Sequence, residues 1–78
     1  MEYTVIGITH RVGEYNGNKF DNYNIYAVRN ALSDKGEIGQ IAEVFKVPSS
    51  NYKEMQIGDT FDNVYYDKYS RVIGFSMI

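Results

Sequence analysis

The 78-residue sequence contains no cysteine, and this absence excludes three kinds of chemistry. Without thiols the chain has no disulfide framework, no cysteine-ligated zinc site and no thiol nucleophile. We therefore expect a cytoplasmic protein that holds neither a metal ion nor an organic cofactor.

Long apolar runs and an excess of positive charge are also missing. No apolar stretch approaches the ~20 residues of a membrane-spanning helix. The opening residues, Met1-Glu2-Tyr3, lack the basic and apolar segments of a signal peptide. Eight Lys and Arg against ten Asp and Glu give a net charge of -2. This balance argues against binding to anionic membranes and against a strongly basic nucleic-acid binder.

Side chains with catalytic potential are few. His10 is the only histidine, and its polar surroundings predict a solvated side chain. Ser49 and Ser50 have no base partner that the sequence reveals. Gly13 and Gly17 lie in a predicted hairpin, whereas a phosphate-binding glycine motif connects a strand to a helix. The chain is therefore predicted not to be an enzyme.

Apolar residues are abundant enough for one compact core. They make up 44% of the chain, and the aromatic residues include eight Tyr and four Phe. Short runs rich in Tyr, Val, Ile, Thr and Phe alternate with evenly spread glycines, a pattern typical of a single small all-β domain covering residues 1–78. Strands are predicted at about residues 3–9, 21–29, 40–47, 60–66 and 71–77.

Local signals place the turns and one short helix. Asn16-Gly17 is the strongest hairpin signal, since both residues accept positive φ. Gly7 predicts a bend or bulge in the first strand. Asn51 and Glu54 resemble a capping box and predict a helix of one or two turns over residues 50–55.

The resulting order is three strands, a short helix and two strands. This order matches a five-stranded antiparallel Greek-key barrel of the OB-fold type, in which a helix commonly lies between the third and fourth strands. An SH3-like barrel is the alternative. The second strand is expected to turn its odd positions inward, and the residues predicted to be buried are Val5, Ile25, Val64, Val72 and Ile73.

Aromatic rings alternate with cations in and after the predicted hairpin. This combination suits single-stranded nucleic acid, because bases stack on rings at about 1–3 kcal/mol each while Lys and Arg contact phosphates. We expect Tyr26 and Arg29 to share an outward face of the second strand. The predicted contact residues are Arg11, Tyr15, Lys19, Phe20, Tyr26 and Arg29.

Two segments resemble a known family. Residues 15–20, Tyr-Asn-Gly-Asn-Lys-Phe, and the segment from Ile57-Gly58-Asp59 to Tyr69 resemble the hairpin and the final strands of small single-strand DNA-binding proteins. These proteins belong to filamentous phages and related bacterial mobile elements. The resemblance implies an OB-type domain that forms a homodimer and coats single-stranded DNA. The negative net charge departs from the family's basic binding face and predicts weak, salt-sensitive binding.

A function of another class remains open. Tyrosine is enriched at protein interfaces, and a nearly neutral surface suits a protein partner. The chain is then a small interaction or adaptor module of phage or mobile-element origin. The predicted partner is therefore single-stranded DNA or another protein, and not a membrane.

Overall fold

The computed structural model describes residues 1–78 and contains one antiparallel sheet of five strands. The order of strands across the sheet is β3-β2-β1-β4-β5. The all-β prediction is confirmed. No helix is long and apolar enough to cross a bilayer. The elements are β1 (Tyr3–Tyr15), β2 (Asn18–Asn30), a 3-10 turn (Ser33–Lys35), β3 (Gln40–Pro48), a second 3-10 turn (Ser49–Asn51), β4 (Thr60–Tyr66) and β5 (Val72–Met77).

The hairpin of β1 and β2 is the longest feature of the sheet. Asn16 and Gly17 form its turn with φ of 50° and 79°, as a type I′ turn requires. The predicted turn is confirmed, but both strands are longer than expected, because the polar stretch from His10 to Phe20 is paired as a ladder. β3 pairs with β2 only from Asn22 onward, so the end of the hairpin projects beyond β3.

A bulge bends β1 near its start. The register with β2 shifts between Val5 and Gly7, which confirms the predicted irregularity at Gly7. Before the bulge, β1 pairs with β4 through Tyr3 and Thr4. Gly58 and Asp59, just before β4, form backbone hydrogen bonds with Val5. Beyond the bulge β1 has no strand on that side, because β4 begins at Thr60.

The core consists of apolar side chains from all five strands and one loop. The inward phase predicted for β2 is confirmed, since Ile25 and Ala27 are buried and Tyr23 packs against the core. The buried residues are Val5, Ile25, Ala27, Phe45, Val47, Met55, Phe61, Val72 and Phe75.

Three of the five predicted core residues, Val5, Ile25 and Val72, are buried as expected. Val64 is only partly buried, although it packs against the core. The prediction for Ile73 is wrong, because its side chain is 53% exposed. Its neighbour Val72 points into the core instead. Because Val72 and Ile73 are adjacent and both apolar, the sequence pattern of β5 did not show which of them faces the core.

The two edge strands of the sheet approach each other. β3 and β5 lie in contact without hydrogen-bonded pairing. Met55, from the segment between β3 and β4, packs with residues of both strands around a small apolar space. The sheet is therefore strongly curved, with its concave side filled by the core.

The predicted helix over residues 50–55 is wrong. Ser49–Asn51 form a single 3-10 turn, and the chain continues without regular structure. The Asn51 side chain caps no helix and instead donates a hydrogen bond to the carbonyl oxygen of Val72 at 3.3 Å. Burial of Met55 then holds this segment against the core, so tertiary contacts replace the local helical signal.

Replacing Ile25 by Ala is expected to lower the free energy of unfolding by roughly 2–5 kcal/mol, since it removes buried methyl groups and leaves a cavity. Ile73→Ala provides the matched control at an exposed position. The measurement is urea denaturation followed by circular dichroism. Equal losses for both variants would contradict the core described above.

Candidate nucleic-acid interface

Three strands present a continuous surface on the convex side of the sheet. We call this surface the outer face; it consists of odd-numbered residues from Gly7 to Tyr15 and even-numbered residues from Asn18 to Asn30 and from Gln40 to Pro48. None of the ten Asp and Glu residues of the chain belongs to it. Arg11 and Lys46 are its cations, so this face is positively charged although the whole chain is negative.

Two aromatic side chains of β2 lie over glycines of β1 on this face. Phe20 is paired with Gly13, and a Cβ atom added to Gly13 would lie 2.6 Å from the Cζ atom of the Phe20 ring. Tyr26 is paired with Gly7 in the same way, at a looser 3.7 Å. Absence of a side chain at Gly13 therefore lets the Phe20 ring lie over β1, whereas the space between Gly7 and Tyr26 would admit a methyl group.

Arg11 contacts the Phe20 ring, and its charge also acts on the Tyr26 hydroxyl. Its guanidinium carbon lies 5.7 Å from the centroid of the Phe20 ring, within the range of a cation–π contact. Hydrogen bonds from Thr9 and then Asn24, together with the charge of Arg11, lower the pKa of the Tyr26 hydroxyl. Tyr26, Arg11 and Phe20 therefore form a row along the outer face, which Tyr15 extends to the hairpin turn.

A groove of about 300 Å³ opens where the hairpin meets β3 and the turn between β4 and β5. Three cations face it, and its one carboxylate, Asp21, already accepts hydrogen bonds from Ser49 and His10. Those hydrogen bonds lower the pKa of Asp21. The groove is lined by Lys19, Phe20, Asp21, Asn22, Lys46, Pro48 and Arg71.

The turn between β4 and β5 is internally fixed. Asp67 accepts hydrogen bonds from the backbone N–H groups of Arg71 and Tyr69, which lower its pKa, and it also pairs with the Arg71 side chain at 2.9 Å. The exposed Tyr69 ring lies 5.1 Å from the Lys68 ammonium and 5.3 Å from the Arg71 guanidinium carbon. An aromatic ring and two cations are thus held at the side of the groove.

Four of the six predicted contact residues, Arg11, Tyr15, Phe20 and Tyr26, lie on the outer face. Lys19 is paired with Glu14 on the other side of the hairpin, and it lines the groove. The sequence reading missed Lys46 and Arg71. Alternation in β3 was a usable signal for Lys46, because inward Phe45 and Val47 require it to point outward.

Arg29 lies elsewhere, and the prediction that it shares a face with Tyr26 is wrong. An odd separation along β2 places these two side chains on opposite sides of the sheet. Arg29 donates two hydrogen bonds to Glu37, at 2.7 and 2.9 Å, and one to Glu43 at 2.8 Å. Its side chain is only 12% exposed. Arg29 therefore ties the loop after β2 to β3 and has no free guanidinium edge for a phosphate.

His10 lies in β1 and not in a loop, but its side chain is 46% exposed, so the predicted contact with solvent is confirmed. Its ring stacks on Tyr23 at 4.2 Å, and Tyr23 stacks on Tyr52 at 3.6 Å. Its Nε2 atom lies 2.6 Å from Asp21 Oδ1, the oxygen that also accepts the hydroxyl hydrogen of Ser49. Because Ser49 bonds to the carboxylate and not to the imidazole, these side chains lack the hydroxyl–imidazole contact of an activated serine.

No group of three or more His, Cys, Asp and Glu side chains is placed to hold a metal ion. No protein-family model, curated protein or solved structure matches the chain. Its proposed function therefore depends on the geometry of its own surfaces.

Because of the Arg29–Glu37 ion pair, we expect the fold to become less stable in acid. Hydrogen bonds from Arg29 and then from the Leu32 N–H lower the pKa of Glu37 to about 2, from an ordinary 4.5. Because the folded pKa lies below the unfolded one, the pair stabilises the fold above pH 4.5, and this contribution is lost as the pH falls toward 2.

Replacing Glu37 by Gln should therefore lower the melting temperature at neutral pH, and the difference from the wild type should shrink below about pH 4.5. The measurement is a series of thermal melts between neutral pH and pH 2. Glu54→Gln, at an exposed residue without a salt bridge, serves as the control. A pH-independent difference for Glu37→Gln would rule out this ion pair as its cause.

Proposed function

We propose that this chain is a non-enzymatic module that binds single-stranded nucleic acid across the outer face and the adjoining groove. The observation that carries the proposal is the absence of any carboxylate from the outer face, where Arg11 and Lys46 accompany Tyr15, Phe20 and Tyr26. Stacking rings and unopposed cations are the two components that such binding requires.

The negative net charge does not oppose this proposal, because the charges are unevenly distributed. Asp34, Glu37 and Glu43 lie in β3 or in the loop before it, at the end of the sheet away from the hairpin. Lys19, Lys46 and Arg71 face the groove at the hairpin end. Exposed charges further apart than about 10 Å are largely screened at 0.1 M salt, so a bound strand responds mainly to the local cations.

The strand arrangement supports the same function. Sheet order β3-β2-β1-β4-β5, with β3 and β5 in contact, is the circular order of a five-stranded OB-type barrel, and we propose that the fold belongs to this type. OB-folds bind oligonucleotides over strands two and three and the loops that join strands one to two and four to five. Here the groove is lined by three of those elements, which are the second strand, the third strand and the turn between the fourth and fifth.

In the proposed complex, bases stack on the exposed rings while the backbone follows the cations from Arg11 to the groove. Four phosphate contacts, made by Arg11, Lys19, Lys46 and Arg71, would give a slope of log affinity against log salt of about -3. Such binding weakens about fiftyfold between ~50 and ~200 mM salt. The proposed function is therefore binding of moderate strength that tolerates many sequences.

Replacing Lys46 by Ala should weaken binding at low salt and reduce the salt slope by about 0.7, the value of one contact with a single strand. Lys35→Ala is the control, because Lys35 lies in the 3-10 turn at the other end of β2. The measurement is fluorescence titration of labelled oligo(dT) at several salt concentrations. Equal slopes for the wild type and Lys46→Ala would remove Lys46 from the interface.

Replacing Gly13 by Ala tests the stacking ring without removing it. The new methyl group would lie 2.6 Å from Phe20 Cζ, so the end of the ring must move, while the backbone of Gly13 has an ordinary negative φ. We expect weaker binding at every salt concentration, as for Phe20→Ala, with an unchanged salt slope. Gly7→Ala is the control, because its methyl group would make only ordinary contacts with Tyr26.

The whole proposal fails if no oligonucleotide of DNA or RNA binds micromolar protein at ~50 mM salt, where even nonspecific binders respond. An interaction module is then the better function. Tyr65, Tyr66 and Ile73 favour that alternative, because all three are at least half exposed on β4 and β5. Exposed tyrosines are typical of surfaces that bind other proteins.

A further inference from the structure

The strand β1 has one unpaired edge over much of its length. Its pairing with β2 extends to Tyr15, whereas its pairing with β4 is limited to Tyr3 and Thr4. From Thr9 to Tyr15 the strand therefore has a neighbour on one side only. This segment contains no proline and no bulge, which are two of the means that protect an edge strand.

The hairpin turn determines which backbone groups are free. In a two-residue turn the flanking residues, here Tyr15 and Asn18, form a hydrogen-bonded pair, and the pairs alternate from there. His10, Val12 and Glu14 therefore direct their N–H and C=O groups away from β2. Val12 lies at the centre of this edge, and its side chain is 67% exposed.

We infer that a second copy of this chain pairs antiparallel with β1 along this edge, with Val12 opposite the second copy's Val12. This register places His10 opposite the second copy's Glu14, and by symmetry the same contact forms twice. An imidazole facing a carboxylate at each end, with an apolar centre between them, makes the edge complementary to itself. The free groups of the three outward residues form about six hydrogen bonds between the copies.

Neighbouring registers fit less well. Paired residues must lie on the same side of the combined sheet, so the register can change only in steps that preserve this alternation. If the centre of the pairing moves from Val12 to Arg11, the Arg11 side chains of the two copies lie opposite each other, and their like charges repel. A pairing centred on Gly13 places Glu14 opposite Val12, which removes both His10–Glu14 contacts. Complementarity therefore favours the register centred on Val12.

Such a dimer extends the surface described above. A two-fold axis perpendicular to the sheet leaves the outer faces of both copies on the same side. The carboxylate-free surface then continues from β3 of one copy to β3 of the other, with the two Arg11 residues near its centre. This consequence for binding rests on the proposed function, whereas the pairing itself is tested without nucleic acid.

Sedimentation velocity of the full chain over a concentration series tests the pairing. We expect a monomer–dimer equilibrium for the wild type and an association constant about tenfold lower for Val12→Lys, which places two ammonium groups opposite each other. Val12→Thr is the control and should dimerise almost as well as the wild type. A wild type that stays monomeric at high micromolar concentration would overturn the inference, as would dimers unaffected by Val12→Lys.

Cysteine variants test the register and do not depend on the lysine variant folding. The chain has no native cysteine, so each variant carries a single thiol. Opposed residues at a hydrogen-bonded position have Cα atoms about 5.5 Å apart, which a disulfide can span. Val12→Cys should oxidise rapidly to a covalent dimer, whereas in Glu14→Cys the thiols lie four residues out of register and should not. Equal rates for the two variants would refute the register.

Discussion

The hydrogen-bonded ladder between β1 and β2 is the constraint on which the rest of this structure depends. Its type I′ turn at Asn16-Gly17 fixes the register, and the register determines which side of the sheet each residue occupies. A slip of one residue would exchange Ile25 with Tyr26 and turn the core side of β2 outward. Core, outer face and free edge therefore all follow from one pairing.

Charge separation is a direct result of this alternation. On the side of the sheet that holds the core, Glu43 is bound to Arg29, and Asp21 is bound to His10 and Ser49. These contacts give the polar groups beside the core their partners. The outer face is left with cations, amides and rings, and Gly13 in β1 provides room for the Phe20 ring to lie across the strand. The surface proposed for nucleic acid is thus positive within an acidic protein.

The end of the hairpin and the β4–β5 turn come together through the curvature of the sheet. Because β4 begins at Thr60, the outer part of β1 has no neighbouring strand on that side. The same curvature brings β3 against β5 and places Lys46 and Arg71 at one groove. The starting point of β4 and the curvature of the sheet therefore determine the two surfaces for which we propose partners.

Local sequence was sufficient for features that depend on neighbouring residues. Asn16-Gly17 specified the turn, alternation specified the inward side of β2, and Pro48 marked the end of β3. The remaining features depended on residues distant in the chain. Asn51 bonded to Val72 and began no helix, Arg29 bound two glutamates across the sheet, and His10 stacked on Tyr23. Because a side chain's partner depends on how the strands are arranged, only the tertiary structure decided which cations remained free.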